Sequence, residues 1–229
     1  MQAVDSPGME EAGHISLGPN GPNRWVLRTP EHKRATLDDA AVMDCGLVDG
    51  DPWTLAVQER VRRAIGEAGA RLAAERLLRV RPRSSAELRE RLGKRYPKAA
   101  VDRAVEALVR SGAVDDARLA DTLAEQLGEV RPHAREAVRA RLERARIEVE
   151  LVDRALDAHA PGKAEGQRAL EAARAQVRRL VPLNIGPEAM RRRVYGALGR
   201  RGFDAETAAE AVERVLGEVG HADDRAWPD

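Results

Sequence analysis

The chain has 229 residues, of which 34% are charged and 3% aromatic, and a formal net charge of +1. Its one cysteine, Cys45, excludes an internal disulfide, and no run approaches the roughly 18 apolar residues of a membrane span. Near-neutrality conceals a segregation: net −5 over residues 1–52, +9 over 53–216 and −3 over 217–229. A basic body between acidic ends points to a polyanionic partner or an acidic protein surface, although Arg-rich helices in water would carry the same charges.

Residues 1–52 read as a disordered acidic tail. Gly18-Pro19-Asn20-Gly21-Pro22-Asn23 duplicates a turn tripeptide, and 46–52 is again rich in Gly, Asp and Pro. Trp25-Val26-Leu27 is a short apolar island between them, a sticky patch of the tail or a docking motif. No basic-then-apolar leader opens the sequence, and a single cysteine fits a reducing, cytoplasmic setting.

Helical periodicity starts at Trp53, with Val57, Val61, Ala64, Ala68 and Leu72 on one face. Gly66 and Gly69 are expected to divide this run into two helices, and Pro82 to end it. Ser84 and Glu87 have capping-box spacing, ahead of Leu88 and Leu92. Pro97 suits the first turn of a helix bearing Val101, Val105 and Leu108, which Ser111-Gly112 closes. A second unit opens at Asp115-Asp116, carries Leu119, Leu123 and Leu127, and pauses near Gly128. Pro132 is placed at the start of its second helix and Val149 near the start of its third. After the break at Pro161-Gly162, Ala169, Ala173, Val177 and Leu180 share a helix face. A loop over 182–186 leads to a helix beginning at Pro187. Gly202 is placed as a helix-ending glycine with Phe203 packing back, and Asp204 caps a last helix that runs to about Gly217.

The apolar positions repeat. Val138, Leu142, Ile147, Val152 and Leu156 have steps of 4, 5, 5 and 4, as do Val194, Leu198, Phe203, Ala208 and Val212. Leu88, Leu92, Tyr96, Val101 and Val105 follow with 4, 4, 5 and 4, one residue shorter at the turn. Such self-similarity marks stacked units. The expectation is an all-α protein of three tandem three-helix repeats forming an elongated, curved array. The repeats span 53–112, 113–160 and 163–217, between tails at 1–52 and 218–229.

Three segments in this order resemble the RecX family, with the likeness running over about 70–217. They are Leu78 to Leu92, with its helix end, basic linker, serine and Glu-Leu helix; Gly112 to Ala120, with its paired acids and basic residue; and Arg200-Arg201-Gly202-Phe203 before the last helix. Leu119 stands where that family has an aromatic. The glycine of the second-helix turn is missing from Lys94-Arg95-Tyr96 and from Ala145-Arg146-Ile147. A monomer is expected because repeat arrays commonly work singly, and the resemblance implies a non-catalytic modulator that lodges in the groove of the RecA–DNA filament. There it would restrain ATPase, strand-exchange and co-protease activities, with single- or double-stranded DNA touched through phosphates. A curved basic solenoid would suit such a groove.

The candidate contact residues are basic and lie on or beside the second helices: Arg89, Arg91, Arg95, Arg131, Arg135, Arg139, Arg141, Arg144, Arg192, Arg193, Arg200 and Arg201. Arg135 and Arg139 share a face at i,i+4. Guanidinium groups serve phosphates and carboxylates alike. Asp115 and Asp116 read as helix-capping rather than metal-binding carboxylates. The histidines show no metal-ligand pairing, Cys45 has no CxxC partner, and neither a P-loop nor a GxGxxG motif is present. No cofactor, metal or catalytic residue is therefore expected. Two other readings stay open: a DNA-binding regulator built from helix-turn-helix-like units, and a helical-repeat adaptor. The three asparagines lie outside the presumptive recognition helices, which weakens base-specific readout. The acidic tails are expected to screen the basic body.

Overall fold

The computed structural model describes residues 13–223. In chain order it contains strands β1 (Ser16–Pro19), β2 (Arg24–Arg28) and β3 (Arg34–Asp38), followed by α1 (Asp39–Asp44), α2 (Leu55–Val80), α3 (Ser85–Gly93) and α4 (Lys98–Arg110). Then come α5 (Asp116–Glu125), α6 (Arg135–Arg144), α7 (Val149–His159), α8 (Glu165–Leu180), α9 (Pro187–Arg200) and α10 (Ala205–Asp223). The chain divides between Val114 and Asp115 into two units.

The first unit overturns two expectations, the first of them in its N-terminal segment. Residues 13–52 are not a disordered tail but a folded cap, while 1–12 lie outside the described residues. β1, β2 and β3 form an antiparallel meander in which Leu17 faces Leu27 and Trp25 faces Leu37. The Gly-Pro-Asn repeat is the first hairpin turn: the Asn20 amide donates to the Arg24 carbonyl at 2.8 Å, and Asn23 takes φ +57°. Trp25-Val26-Leu27 is the middle of the central strand. Strands of four or five residues bury only alternate side chains, so Leu17, Leu27 and Leu37 leave little apolar signal in sequence. They pack with Ile15, Val42 and Leu47 onto Val57, Val61, Ala64 and Ala68 of α2. Polar contacts close the seam. Arg60 bonds Asp51 at 3.0 Å, and Arg63 donates to the Asp44 carbonyl at 3.0 Å and to Cys45 Sγ at 3.2 Å. Burial pushes the Cys45 thiol pKa up, against the opposing Arg63 contact.

α2 is one continuous helix of 26 residues; Gly66 and Gly69 do not divide it. They face α4 and the turn before it: a Cβ on Gly66 would lie 3.6 Å from the Ala100 Cβ, and one on Gly69 only 2.8 Å from Tyr96 Cε1. The missing side chains allow a close approach, and the packing offsets the roughly 1 kcal/mol propensity cost of each glycine. Ser84 caps α3, accepting from the Glu87 amide at 3.1 Å. The buried Glu87 carboxylate accepts from Arg81 at 2.6 Å, from Arg91 at 3.1 Å and from Arg83. Arg83 also donates to the Leu77 carbonyl at 3.2 Å, so α2's end is fastened to α3's start. Leu88, Leu92, Val101, Val105 and Leu108 fill the core of α2, α3 and α4.

In the second unit Asp115 caps α5, accepting from the Arg118 amide at 2.9 Å. α5 continues as a π-helical turn over Gln126–Val130. α6 starts at Arg135 rather than at Pro132, because the chain stays extended through Ala134, its N-cap. Val138, Leu142, Ile147, Val152 and Leu156 make one core, and Val194, Leu198, Phe203, Ala208 and Val212 another, the latter with Ala169, Ala173 and Val177 of α8. Every position of the repeated ruler is buried except Tyr96. α10 runs six residues past the expected end, to Asp223, so 218–223 is helix rather than tail. Residues 224–229 lie outside the described residues.

Candidate partner-binding surface

The helix triplets α5–α7 and α8–α10 meet through a dense joint. The Ala134 amide donates to the Arg201 carbonyl at 3.0 Å. A Cβ on Gly202 would lie 2.8 Å from the Ala137 Cβ, and Gly202 takes φ +86°, so the turn before α10 rests directly on α6. The buried Arg168 reaches across the joint, donating to the Pro161 carbonyl at 2.7 Å and the His133 carbonyl at 3.3 Å.

This joint sorts the predicted arginines. On α6, Val138 and Leu142 point inward, and at 100° per residue the remaining positions fall on two flanks. Arg135 and Arg139 lie on the α7 flank. Arg135 donates to the Leu156 and Ala160 carbonyls at 3.0 and 2.9 Å and pairs with Asp157 at 2.7 Å; Arg139 pairs with Asp153 at 2.9 Å. Both are occupied in fastening α7 to α6. Arg141 and Arg144 take the other flank, with Ala137, where the Gly202 turn sits. Among the described residues Arg141 has no ion pair, and Arg144 bonds only the Ala140 carbonyl of its own helix, at 2.9 Å.

Around that turn more cations gather. Arg201 donates to the Ala172 carbonyl at 3.3 Å; burial, then the nearby charge of Arg179, holds its pKa below the usual arginine value. Arg200 precedes it, exposed, and Arg193 lies seven residues back on the same α9 stripe. Arg131 stands three residues before Ala134. Among the described residues, Arg131, Arg141, Arg179, Arg193 and Arg200 carry no ion pair or side-chain hydrogen bond. Arg201 lies close enough to Arg179 to feel its charge, and like charges held together raise the local potential and favour an incoming anion. Arg179 is not among the contact residues expected from sequence. The signal was present: neither Arg178 nor Arg179 has an acid three or four positions earlier to hold it.

The other candidates lie elsewhere. Arg192 is exposed and unpaired, on a different face of α9 from Arg193, where Arg191 pairs with Glu213 on α10. In the first unit Arg89 lies 3.6 Å from Asp102 and Arg91 3.1 Å from Glu87, while Arg95 has no ion pair among the described residues. No group of three His, Cys, Asp or Glu able to hold a metal occurs among the described residues, and no helix there is long and apolar enough to cross a membrane.

Comparison with known proteins places the chain among like sequences. A family description, "RecX, first three-helix domain", matches residues 70–108. The regulatory protein RecX of Mycobacterium ulcerans (strain Agy99) is 33% identical over 147 residues, covering 64% of this chain and 84% of that protein. That of Mycobacterium tuberculosis (strain ATCC 25618 / H37Rv) is 32% identical over 149 residues, covering 64% and 85%. A crystal structure of a regulatory protein RecX superposes with a TM-score of 0.59 at 18% identity, covering 85% of this chain and 96% of the other. At that identity the superposition speaks for the helical-repeat fold.

Proposed function

The chain belongs to the RecX family, and from that premise we propose that it is a regulatory protein that binds the RecA–DNA filament and inhibits recombinase activity. By this reading it acts by binding, as a monomer in the cytoplasm, and lowers ATPase, strand-exchange and co-protease activity during recombinational repair and the SOS response. The supporting observation is the joint of α6, α8 and α9, where Arg201 lies close enough to Arg179 to feel its charge and the neighbouring Arg141 and Arg200 have no ion pair among the described residues. Phosphates and carboxylates are both suitable ligands for it. Arg131, Arg192 and Arg193 extend the proposed contact set within the second unit. Arg135 and Arg139 are poor probes of it, because their reversal would break the α6–α7 seam.

The test is the single-stranded-DNA-dependent ATPase rate of the matching RecA, titrated with the protein under DNA excess. Inhibition well below one protein per recombinase subunit is expected, together with at least a tenfold loss of potency in the double reversal Arg141→Glu, Arg200→Glu. If the recombinase is unaffected while the protein alone binds DNA tightly, the DNA-binding regulator replaces this reading. Such binding would fall about a thousandfold between 50 and 200 mM salt if roughly six phosphates were neutralised.

A further inference from the structure

The first repeat is one residue short at the turn after its second helix, and a cavity opens there. In the later repeats the chain leaves α6 and α9 through a left-handed residue, Arg146 at φ +56° and Gly202 at φ +86°, and the next side chain, Ile147 or Phe203, is buried. After α3 no residue is left-handed. Lys94 keeps φ −71°, and Tyr96 is only partly buried, its ring edge against Gly69. Beside it lies a cavity of about 440 Å3 between α2 and the α3–α4 turn.

Its lining divides by chemistry. Ala73, Leu77 and Leu92 form an aliphatic floor, and Tyr96 stands as a wall. Arg76, Lys94 and Arg95 are exposed around it. None of the three has an ion pair or side-chain hydrogen bond among the described residues. The fourth cation, Arg91, is held by Glu87. Among the described residues no acidic side chain lines the cavity.

We propose that this cavity is a docking site for an acidic peptide segment of a partner protein, with one aromatic or branched apolar side chain as its anchor. The anchor would pack on the aliphatic floor of Ala73, Leu77 and Leu92, where buried apolar contact carries most of the energy of such interfaces. Flanking carboxylates meet guanidinium and ammonium groups that have no acid of their own. A nucleotide fits less well. Its base edges would lie against aliphatic carbon, and unpaired polar groups are costly to desolvate. The cavity belongs to the first unit and the arginine cluster behind the recombinase reading to the second, so either can fail without the other.

The experiment uses the full chain and a fluorescein-labelled heptapeptide with three acidic residues on each side of a central phenylalanine, followed by anisotropy. Saturable binding is expected, weakened at least tenfold when alanine replaces the peptide's phenylalanine. The double variant Arg76→Glu, Arg95→Glu should lose at least tenfold, while Arg110→Glu, a reversal outside the cavity in the same unit, should lose less than twofold. Unchanged melting temperatures would show that the variants are folded. Absence of binding, equal binding of the alanine peptide, or an equal loss in Arg110→Glu would each overturn the proposal. So would a labelled twelve-nucleotide thymidylate that loses affinity in the double variant and is not displaced by the peptide.

Discussion

Arginine has two roles in this chain, and spacing in sequence does not separate them. Arg135 and Arg141 both lie on α6, one turn and a half apart, yet the first holds two carbonyls and a carboxylate and the second holds nothing. The difference lies in the acids and carbonyl ends that α7 brings alongside, which only the packed structure supplies. Arg135→Ala is therefore expected to cost about 1–3 kcal/mol, since it uncaps the last carbonyls of α7. Arg141→Ala should stay within about 0.5 kcal/mol. Urea titration of both variants checks the contrast. Arg146 is a third case, a non-glycine residue at φ +56° where the equivalent position of the next repeat has Gly202. L-residues are strained there by roughly 1–2 kcal/mol. Arg146→Gly should raise the melting temperature by a few degrees, less whatever its side-chain contacts contribute. Gly202→Ala should lower it by more, because strain combines with a Cβ 2.8 Å from that of Ala137.

At the scale of elements, the caps and the repeated apolar ruler were legible because each rests on local chemistry. Ser84, Asp115 and Asp204 cap as their spacing indicates, and Gly202 ends α9 as a left-handed residue. The illegible elements depend on distant partners. α2 stays whole through Gly66 and Gly69 because Ala100 and Tyr96, some thirty residues on, need the room. Short strands with Gly-Pro-Asn turns read as disorder until the face of α2 gives Leu27 and Leu37 somewhere to go. The α2–α3 junction makes a pH prediction. Burial tends to raise the Glu87 pKa, but the Arg81 hydrogen bond and the charges of Arg83 and Arg81 outweigh it, so the carboxyl titrates below its ordinary value. A group depressed on folding stabilises above its unfolded pKa, about 4.3, and that contribution is lost as pH falls through the folded value. Glu87→Gln is thus expected to be clearly less stable than the parent chain at pH 7, the gap narrowing below about pH 4. Denaturation midpoints across pH 3–7 would show a constant gap if the network were electrostatically idle.

At the scale of the whole molecule, charge segregation takes on a different meaning once 13–52 is folded. From sequence alone the acidic character of residues 1–52 suggests a screen for the basic body. Most of those acids belong to the cap, where Asp51 binds Arg60, Asp38 meets Arg71 at 3.2 Å and Asp39 accepts from the Trp25 indole at 2.6 Å. Asp51 and Asp38 thus neutralise cations of α2 in place. Deleting 1–52 therefore cannot test screening, because it also strips Ile15, Leu17, Leu27, Leu37 and Leu47 from the face of α2. Each buried leucine or isoleucine contributes roughly 1.5–3 kcal/mol, and the loss exceeds what a unit of this size can spare. That truncation should melt the first half of α2 and bind a hydrophobic dye. Removing only 1–12 takes away Asp5, Glu10 and Glu11 and none of this core. If screening operates, the short truncation inhibits the recombinase at lower concentration with an unchanged melting temperature, and the gain disappears at high salt. If both truncations leave inhibition as it was, the acids of 1–12 screen nothing, and the cap serves only to complete the core of the first unit.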